Sequence, residues 1–374
     1  MRENNVAVLS ITSFIIDSAL SSWWMVLPLY LQELGANVAQ IGISYAAINA
    51  AWAVSQLPGG PLSDRFGRKR VIVMCTSIFI PFFISMLILK SWFAAAIAIT
   101  VSSFFAGLQN PSFSSMIAES SEGSNTARAF GLYFFLMNLG WAVGPLMGAF
   151  IIPFWGFDLL FILGALASTT CLALRILLLE EVEKAEEMPS RPSLKEFLPF
   201  LISISVFSLA NGIIMPLIPI HAEKFQKFTT GEIELMFFTA QFFTSIASLI
   251  AGSIITRTGG MKGLGLSFVL SGIFSLLWFF SHSYAAFALL SLYYIQYFAF
   301  AEVSFSTALS GITTRGNRAT AFGTATVFAG LSNSIGSYIG GVMWESLQPV
   351  VPFLLASSLM VLSPAFLKRV DHNQ

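Results

Sequence analysis

Asp17 is the residue whose type and setting most invite chemistry. Between Val6 and Leu31 it is the sole charged side chain in a run of apolar and small residues. Helical spacing places Ser10, Ser13, Ser21 and Trp24 on or near its face, a polar stripe that ends in an aromatic ring. An ionisable group in the middle of a bilayer costs roughly 2.5–3.5 kcal/mol on insertion scales, so its presence needs a reason. A buried carboxyl that takes either a proton or a cation couples the two movements by competition. The plainer reading is a structural acid bonded to a neighbouring helix. Glu302 is a second acid of this kind, placed toward one end of its own apolar run. Its plainer reading is an inner-gate residue or one hydrated from the membrane surface.

Amides form a second group: Asn49, Asn110, Asn138, Asn211, Gln241, Gln296 and Asn333 all sit inside apolar runs. Each alone reads as interhelical glue, while together they suggest a partly polar cavity. Trp24, Tyr293, Tyr294 and Phe298 are candidates for an aromatic wall that accepts flat or cationic compounds. Taken singly, each also suits lipid contact or interfacial anchoring. Cys75 and Cys171 lie in apolar stretches and suggest neither a disulfide framework nor a metal site. The histidines fall near run ends or in the tail. No P-loop, metal-ligand cluster or nucleophile constellation is present, so neither an enzyme nor a bound metal or cofactor is expected. A formal net charge of zero implies no nucleic-acid partner.

The elements that must carry these residues follow from composition. Of the 374 residues, 56% are hydrophobic and 10% charged. A soluble domain of about 25% charged residues covers itself with them; this chain cannot, so its apolar surface must face lipid. Runs long enough to span a bilayer fall near 7–31, 39–61, 71–89, 93–117, 128–152, 157–179, 198–221, 232–256, 263–280, 285–309, 320–343 and 349–366. The expected fold is an all-α membrane protein of twelve transmembrane helices. The first run is too long for a signal-peptide core and is read as a retained span. The longest polar stretch lies from Glu180 to Glu196 and includes Pro189 and Pro192. It divides the chain into a bundle over 1–179, a linker over 180–197 and a bundle over 198–374. With the N-terminus inside, every Lys and Arg except Lys90, Lys224 and Lys227 lies on the cytoplasmic side. That orientation makes both termini cytoplasmic.

The two bundles repeat. Ala127, Ala129, Phe130, Gly131, Leu139, Gly144 and Gly148 recur 192 residues later as Ala319, Ala321, Phe322, Gly323, Leu331, Gly336 and Gly340. Gly60, Arg65 and Gly67 recur at the same offset as Gly252, Arg257 and Gly259. The offset also maps Asn49 onto Gln241 and Asn110 onto Glu302. Parallel six-helix repeats related by a pseudo-two-fold axis along the membrane normal are a recurrent transporter plan.

The loop after the second run reads Gly60-Pro-Leu-Ser-Asp64-Arg65-Phe-Gly67-Arg68-Lys69-Arg70. Composition alone makes it a tight turn with a positive-inside anchor. Its spacing resembles the signature loop of the major facilitator superfamily, G-x-x-x-D-R-x-G-R-R/K. The second copy is degraded, with Thr256 in place of the acid and Gly260 in place of the arginine. The resemblance assigns Gly60, Asp64, Arg65, Gly67 and Arg68 to gating. Asp64 could then sit against the positive start of the eleventh span, near Ala319 to Phe322, and Arg68 could pair with Glu119 or Glu122.

The fifth run carries Gly140-Trp-Ala-Val-Gly144-Pro145-Leu-Met-Gly148-Ala149. Glycines four apart share one helix face and allow close backbone approach. Pro145 favours a kink. The pattern is similar to the superfamily's antiporter motif, with Ala149 in place of its last glycine. Drug/proton antiporters usually carry an arginine in the fourth span, whereas Ser103-Phe-Phe-Ala-Gly107 has none. No Lys or Arg is expected deep within a span, which argues against anionic substrates.

The resemblance implies a secondary transporter in the cell membrane that works as a monomer by alternating access. The leading expectation is proton-coupled export of hydrophobic or cationic small molecules, with Asp17 and Glu302 as coupling groups. A symporter or uniporter of a neutral metabolite such as a sugar is the alternative. A non-transporting membrane sensor or scaffold is the alternative of another class.

Overall fold

The computed structural model describes residues 3–121, 126–182, 194–312 and 318–367, and their regular structure is helical throughout. Most of the polar linker, together with Glu122, lies outside the described residues. So do the side chains at the start of the eleventh span, including Ala319.

Breaks between helices fall where the backbone demands them. α1 (Glu3–Trp24) is followed by α2 (Leu27–Glu33), with a proline in the first turn of α2. α3 (Val38–Phe66) and α4 (Arg68–Ile88) are separated by a single residue, Gly67, with φ +97°. That left-handed conformation favours glycine over any residue with a Cβ. α5 (Trp92–Ser120) precedes α6 (Thr126–Leu178), which holds the fifth and sixth spans and breaks at Gly156, φ +65°. The second half repeats the scheme. α7 (Leu194–Ile214) and α8 (Leu217–Lys224) meet at Met215 and Pro216, as α1 and α2 meet at Met25 and Val26. α9 (Thr230–Thr258) and α10 (Gly260–Phe279) are again separated by one left-handed glycine, Gly259, φ +86°. Conformation thus accounts for why the degraded loop copy keeps this glycine while losing its acid and arginine.

α11 (Tyr284–Tyr294) continues through a π-helical segment, Ile295–Phe300, into α12 (Ala301–Gly311). α13 (Arg318–Ser346) and α14 (Val350–Leu362) complete the described helices, with a short 3-10 turn at Ser363–Phe366. Eight helical segments of the described residues are long and apolar enough to cross a membrane. One of them, Ala129–Leu178, is long enough for two crossings. α3 and α13 match the remaining long runs at 29 residues each. Large side chains such as Phe154, Leu177 and Leu249 are more than 70% exposed, as a lipid-facing surface requires.

The helices form two compact units. Unit 1 comprises residues 1–36, 47–186 and 229–238, and unit 2 comprises 37–46, 187–228 and 239–374. The chain therefore passes from one to the other within the polar stretch, and each half also lends ten residues to the other unit. In unit 1, α1 lies along α6, and α4 packs on both α5 and α6. Val8, Leu9, Ile72, Phe113, Met116, Ile117, Tyr133 and Leu179 form one core cluster. In unit 2, α7 lies along α13, and α10 packs on α12 and α14. Phe207 stacks on Phe268 at 3.7 Å there. His221 is buried within an aromatic group of Phe225, Trp278, Phe279, Trp344 and Phe353.

Candidate functional site

Asp17 and the glycine motif, read separately from the sequence, meet in unit 1. A Cβ added at Gly140 would stand 2.8 Å from the carbonyl oxygen of Phe14 and 3.2 Å from Cβ of Asp17. One added at Gly144 would stand 2.6 Å from the Ser18 carbonyl oxygen, and one at Gly148 would strike the carbonyl of Ser22. The glycine face of α6 is thus filled by the backbone of α1. Ser21 is fully buried and donates to the Gly140 carbonyl at 3.1 Å, so it ties the two helices together. Ser10, Ser18 and Ser22 donate to carbonyls of their own helix. Pro145 is buried, Trp24 is half-buried against Trp23, and Asp17 is half-buried.

One expectation is corrected here. A base does lie deep in the bundle: Arg175, on the last part of α6, is 1% exposed. It donates to Oγ1 of Thr12 at 3.0 Å and to Oγ1 of Thr76, and its guanidinium lies 5.0 Å from the Phe113 ring centroid. The long side chain carries the charge from the span end into the core between α1 and α4. Because two of its nitrogens are engaged and it is sealed from solvent, it does not present an open anion site.

The signature loop forms a charge network in unit 1. Arg68 bonds Glu119 with two nitrogens, at 3.2 and 3.0 Å, and also contacts Asp64 and Ser63. The side chains of Arg68 and Glu119 are 7% and 11% exposed, and that of Asp64 is 42%. Of the two acids named for Arg68, Glu119 is bonded to it, and Glu122 lies outside the described residues. Glu181, which sequence reasoning missed, accepts from the backbone N–H of Arg68 at 2.6 Å and of Lys69 at 3.3 Å. A carboxylate at a helix N-terminus satisfies donors the helix itself leaves free. Gly60 has open space around it, Arg65 is exposed and lies over the Phe66 ring, and Gly67 supplies the turn.

The second-half candidates lie in unit 2. Tyr293 is buried and donates to Oδ1 of Asn211, itself buried, at 2.5 Å. Tyr294 is fully buried, with its hydroxyl toward Met215 and its ring tilted against Phe298. These residues are core partners in this structure rather than an open wall. Asn333 donates to the Ser208 carbonyl at 3.3 Å and, with Gly212 facing it, joins α13 to α7. Glu302 is exposed at the start of α12, immediately after the π-helical segment that contains half-buried Gln296. Such segments recur at functional sites because they re-aim the side chains that follow. In unit 1, Asn49 and Asn110 are half-buried and Asn138 is exposed; Gln241, in unit 2, is half-buried. Sequence reasoning also passed over Glu234, which is fully buried in unit 1.

Among the described residues no group of His, Cys, Asp and Glu could hold a metal ion. The family model of the Major Facilitator Superfamily matches residues 9–203 and again 200–373. Over 160 residues, 42% of this chain, the sequence is 27% identical to an uncharacterised MFS-type transporter of Methanocaldococcus jannaschii. It is 25% identical over 146 residues, 39% of this chain, to the quinolone resistance protein NorA of Staphylococcus aureus. The chain spans about two fifths of the length of these curated relatives, 41% and 38%. The fold is shared with a peptide transporter, POT, at TM-score 0.78, 15% identity and coverage of 98% and 94% of the two chains. It is also shared with the nucleoside transporter NupG, at TM-score 0.75, 17% identity and 98% coverage of each chain. A human organic anion transporter, MFSD10, has TM-score 0.73, 15% identity and coverage of 98% and 99%. A signature loop with its charge network, a twice-repeated helical plan and a family model that matches both halves make this chain a member of the major facilitator superfamily, a family of transporters rather than enzymes.

Proposed function

We propose that the chain is a secondary transporter working by alternating access, and that it exports hydrophobic or cationic small molecules in exchange for protons across the cell membrane. Both termini lie in the cytoplasm, the carried molecule and protons are its ligands, and one chain suffices. The observation that carries this reading is the packing of Asp17 against Gly140 of the antiporter-like motif. The offset of 192 residues maps Asp17 onto Leu209, whose backbone carbonyl faces Gly336 in the matching crossing of α7 and α13. That crossing closes with a leucine at the matching position, so close approach of the two helices does not require an acid at position 17. A proton site beside a close helix contact can change how that contact is held.

Arg175 is buried and bonded to Thr12 and Thr76, which favours neutral and cationic molecules as substrates. Similarity to a quinolone resistance protein supports export. Glu302 assists as a second proton group, and the Asp64–Arg68–Glu119 network acts as a gate. In cells accumulating a lipophilic cationic dye, the intact protein should lower dye content, and Asp17→Asn should abolish that effect at equal expression. Unchanged efflux in Asp17→Asn would remove Asp17 from the mechanism. Uptake of a neutral sugar without dye efflux would favour symport or uniport instead.

A further inference from the structure

Glu234 lies in the first two turns of α9, where an acid reads as a capping residue. The cap, however, is Glu232, whose carboxylate accepts from the N–H and the hydroxyl of Thr229, each at 2.8 Å. Glu234 is fully buried, and neither of its carboxyl oxygens has a hydrogen-bond partner. It faces Gly148 of α6, where an added Cβ would stand 3.0 Å from its Oε1. One turn earlier, Gly231 lies against the Ala149 carbonyl oxygen and the Pro153 ring, each 3.1 Å from an added Cβ. All of these residues belong to unit 1.

The described ionisable groups of the helices at this crossing are Asp17 on α1, Tyr133, Asp158, Cys171 and Arg175 on α6, and His221, Glu223, Lys224, Lys227, Glu232 and Arg257 on or beside α9. None is bonded to Glu234, whose side chain is sealed from solvent. A carboxylate without a partner is poorly tolerated in such a place, and the neutral acid is tolerated far better. The matching crossing shows what packing alone requires. At the offset of 192 residues Glu234 maps onto Gly42, which meets Gly341 of α13, glycine on glycine, within unit 2. A close crossing therefore forms with no acid at all.

α9 is one continuous helix, yet residues 229–238 cluster with unit 1 and the rest with unit 2. A rearrangement of the transporter must either keep this crossing or undo it. We propose that Glu234 is a proton-binding site whose neutral form latches the first two turns of α9 onto Gly148 of α6 and whose ionised form releases them. The inference goes beyond the export reading, since it depends on neither Asp17 nor the carried molecule.

The test uses the full-length protein in lipid nanodiscs, with Cys75→Ser, Cys171→Ser and Ala149→Cys, reacted with a small maleimide. Rates are normalised to a free thiol, because thiol reactivity itself rises with pH. Labelling should rise several-fold from mildly acidic to alkaline pH, and Glu234→Gln should hold it low throughout. The same rise in Glu234→Gln, or equally fast labelling at every pH with Glu234 present, overturns the proposal. Infrared difference spectra give a second readout that does not rely on labelling. The carbonyl stretch of a protonated carboxyl should be present at acidic pH and absent in Glu234→Gln, and its absence with Glu234 intact overturns the proposal. Asp17→Asn should leave both signals in place, so a failed export assay and a failed latch are distinguishable.

Discussion

Arg68 has two acidic partners whose surroundings differ, and the difference sets what each is worth. Glu119 is nearly buried and bonds the guanidinium with both oxygens, whereas Asp64 is half exposed. Glu119→Gln should destabilise the protein by about 2 kcal/mol, the cost of weakening a charge-assisted bond at a buried site. Asp64→Asn should cost under about 1 kcal/mol. Thermal unfolding in detergent measures both, and an equal loss from the two variants would contradict this ranking. The sequence narrowed the partner of Arg68 to Glu119 or Glu122 because a specific motif fixed the arginine, but it did not choose between the two acids. Arg175 was not legible. An arginine ahead of a leucine run at a span end has the look of a membrane anchor, and nothing local reveals that its side chain turns inward to two threonines. Glu234 was hidden for a similar reason, since acids near a helix start are normally exposed caps.

At the scale of helices, the repeated glycine stripes do the same work in both units. Gly144 faces the backbone of α1, and Gly336 faces the carbonyl of Leu209 on α7. Gly131, on the same helix as Gly144, has open space around it. Gly144→Leu and Gly336→Leu should each reduce the yield of monodisperse protein sharply, since overpacking a full crossing costs about 1–3 kcal/mol or more. Gly131→Leu should leave yield unchanged or raise it, because leucine exceeds glycine in helix propensity. Size-exclusion profiles at equal induction compare the three, and equal losses would place the effect on helix propensity instead of packing. These stripes were readable from spacing alone. The π-helical segment before Glu302 was not, because its extra residue per turn leaves the apolar pattern of the run unbroken.

For the whole molecule, span counting and the fixed offset foretold the two-part architecture. They did not foretell that each half lends ten residues to the other's compact unit. That exchange depends on which faces meet in space, and α3 and α9 are each one continuous helix with no break where the allegiance changes. If the chain is divided between residues 186 and 187 and both pieces are produced together, they should purify as one complex through a tag on either piece. Recovery of the tagged piece alone would contradict the exchange. Residues 37–46 and 229–238 are themselves related by the repeat offset, so the loan is reciprocal and uses the same stretch of each half. It has the form of a domain swap closed within one polypeptide. A protein consisting of one half alone would carry an orphaned arm and an empty berth for it. Two such copies could satisfy each other by trading arms, so a paired ancestor later fused end to end would have inherited its means of assembly ready made.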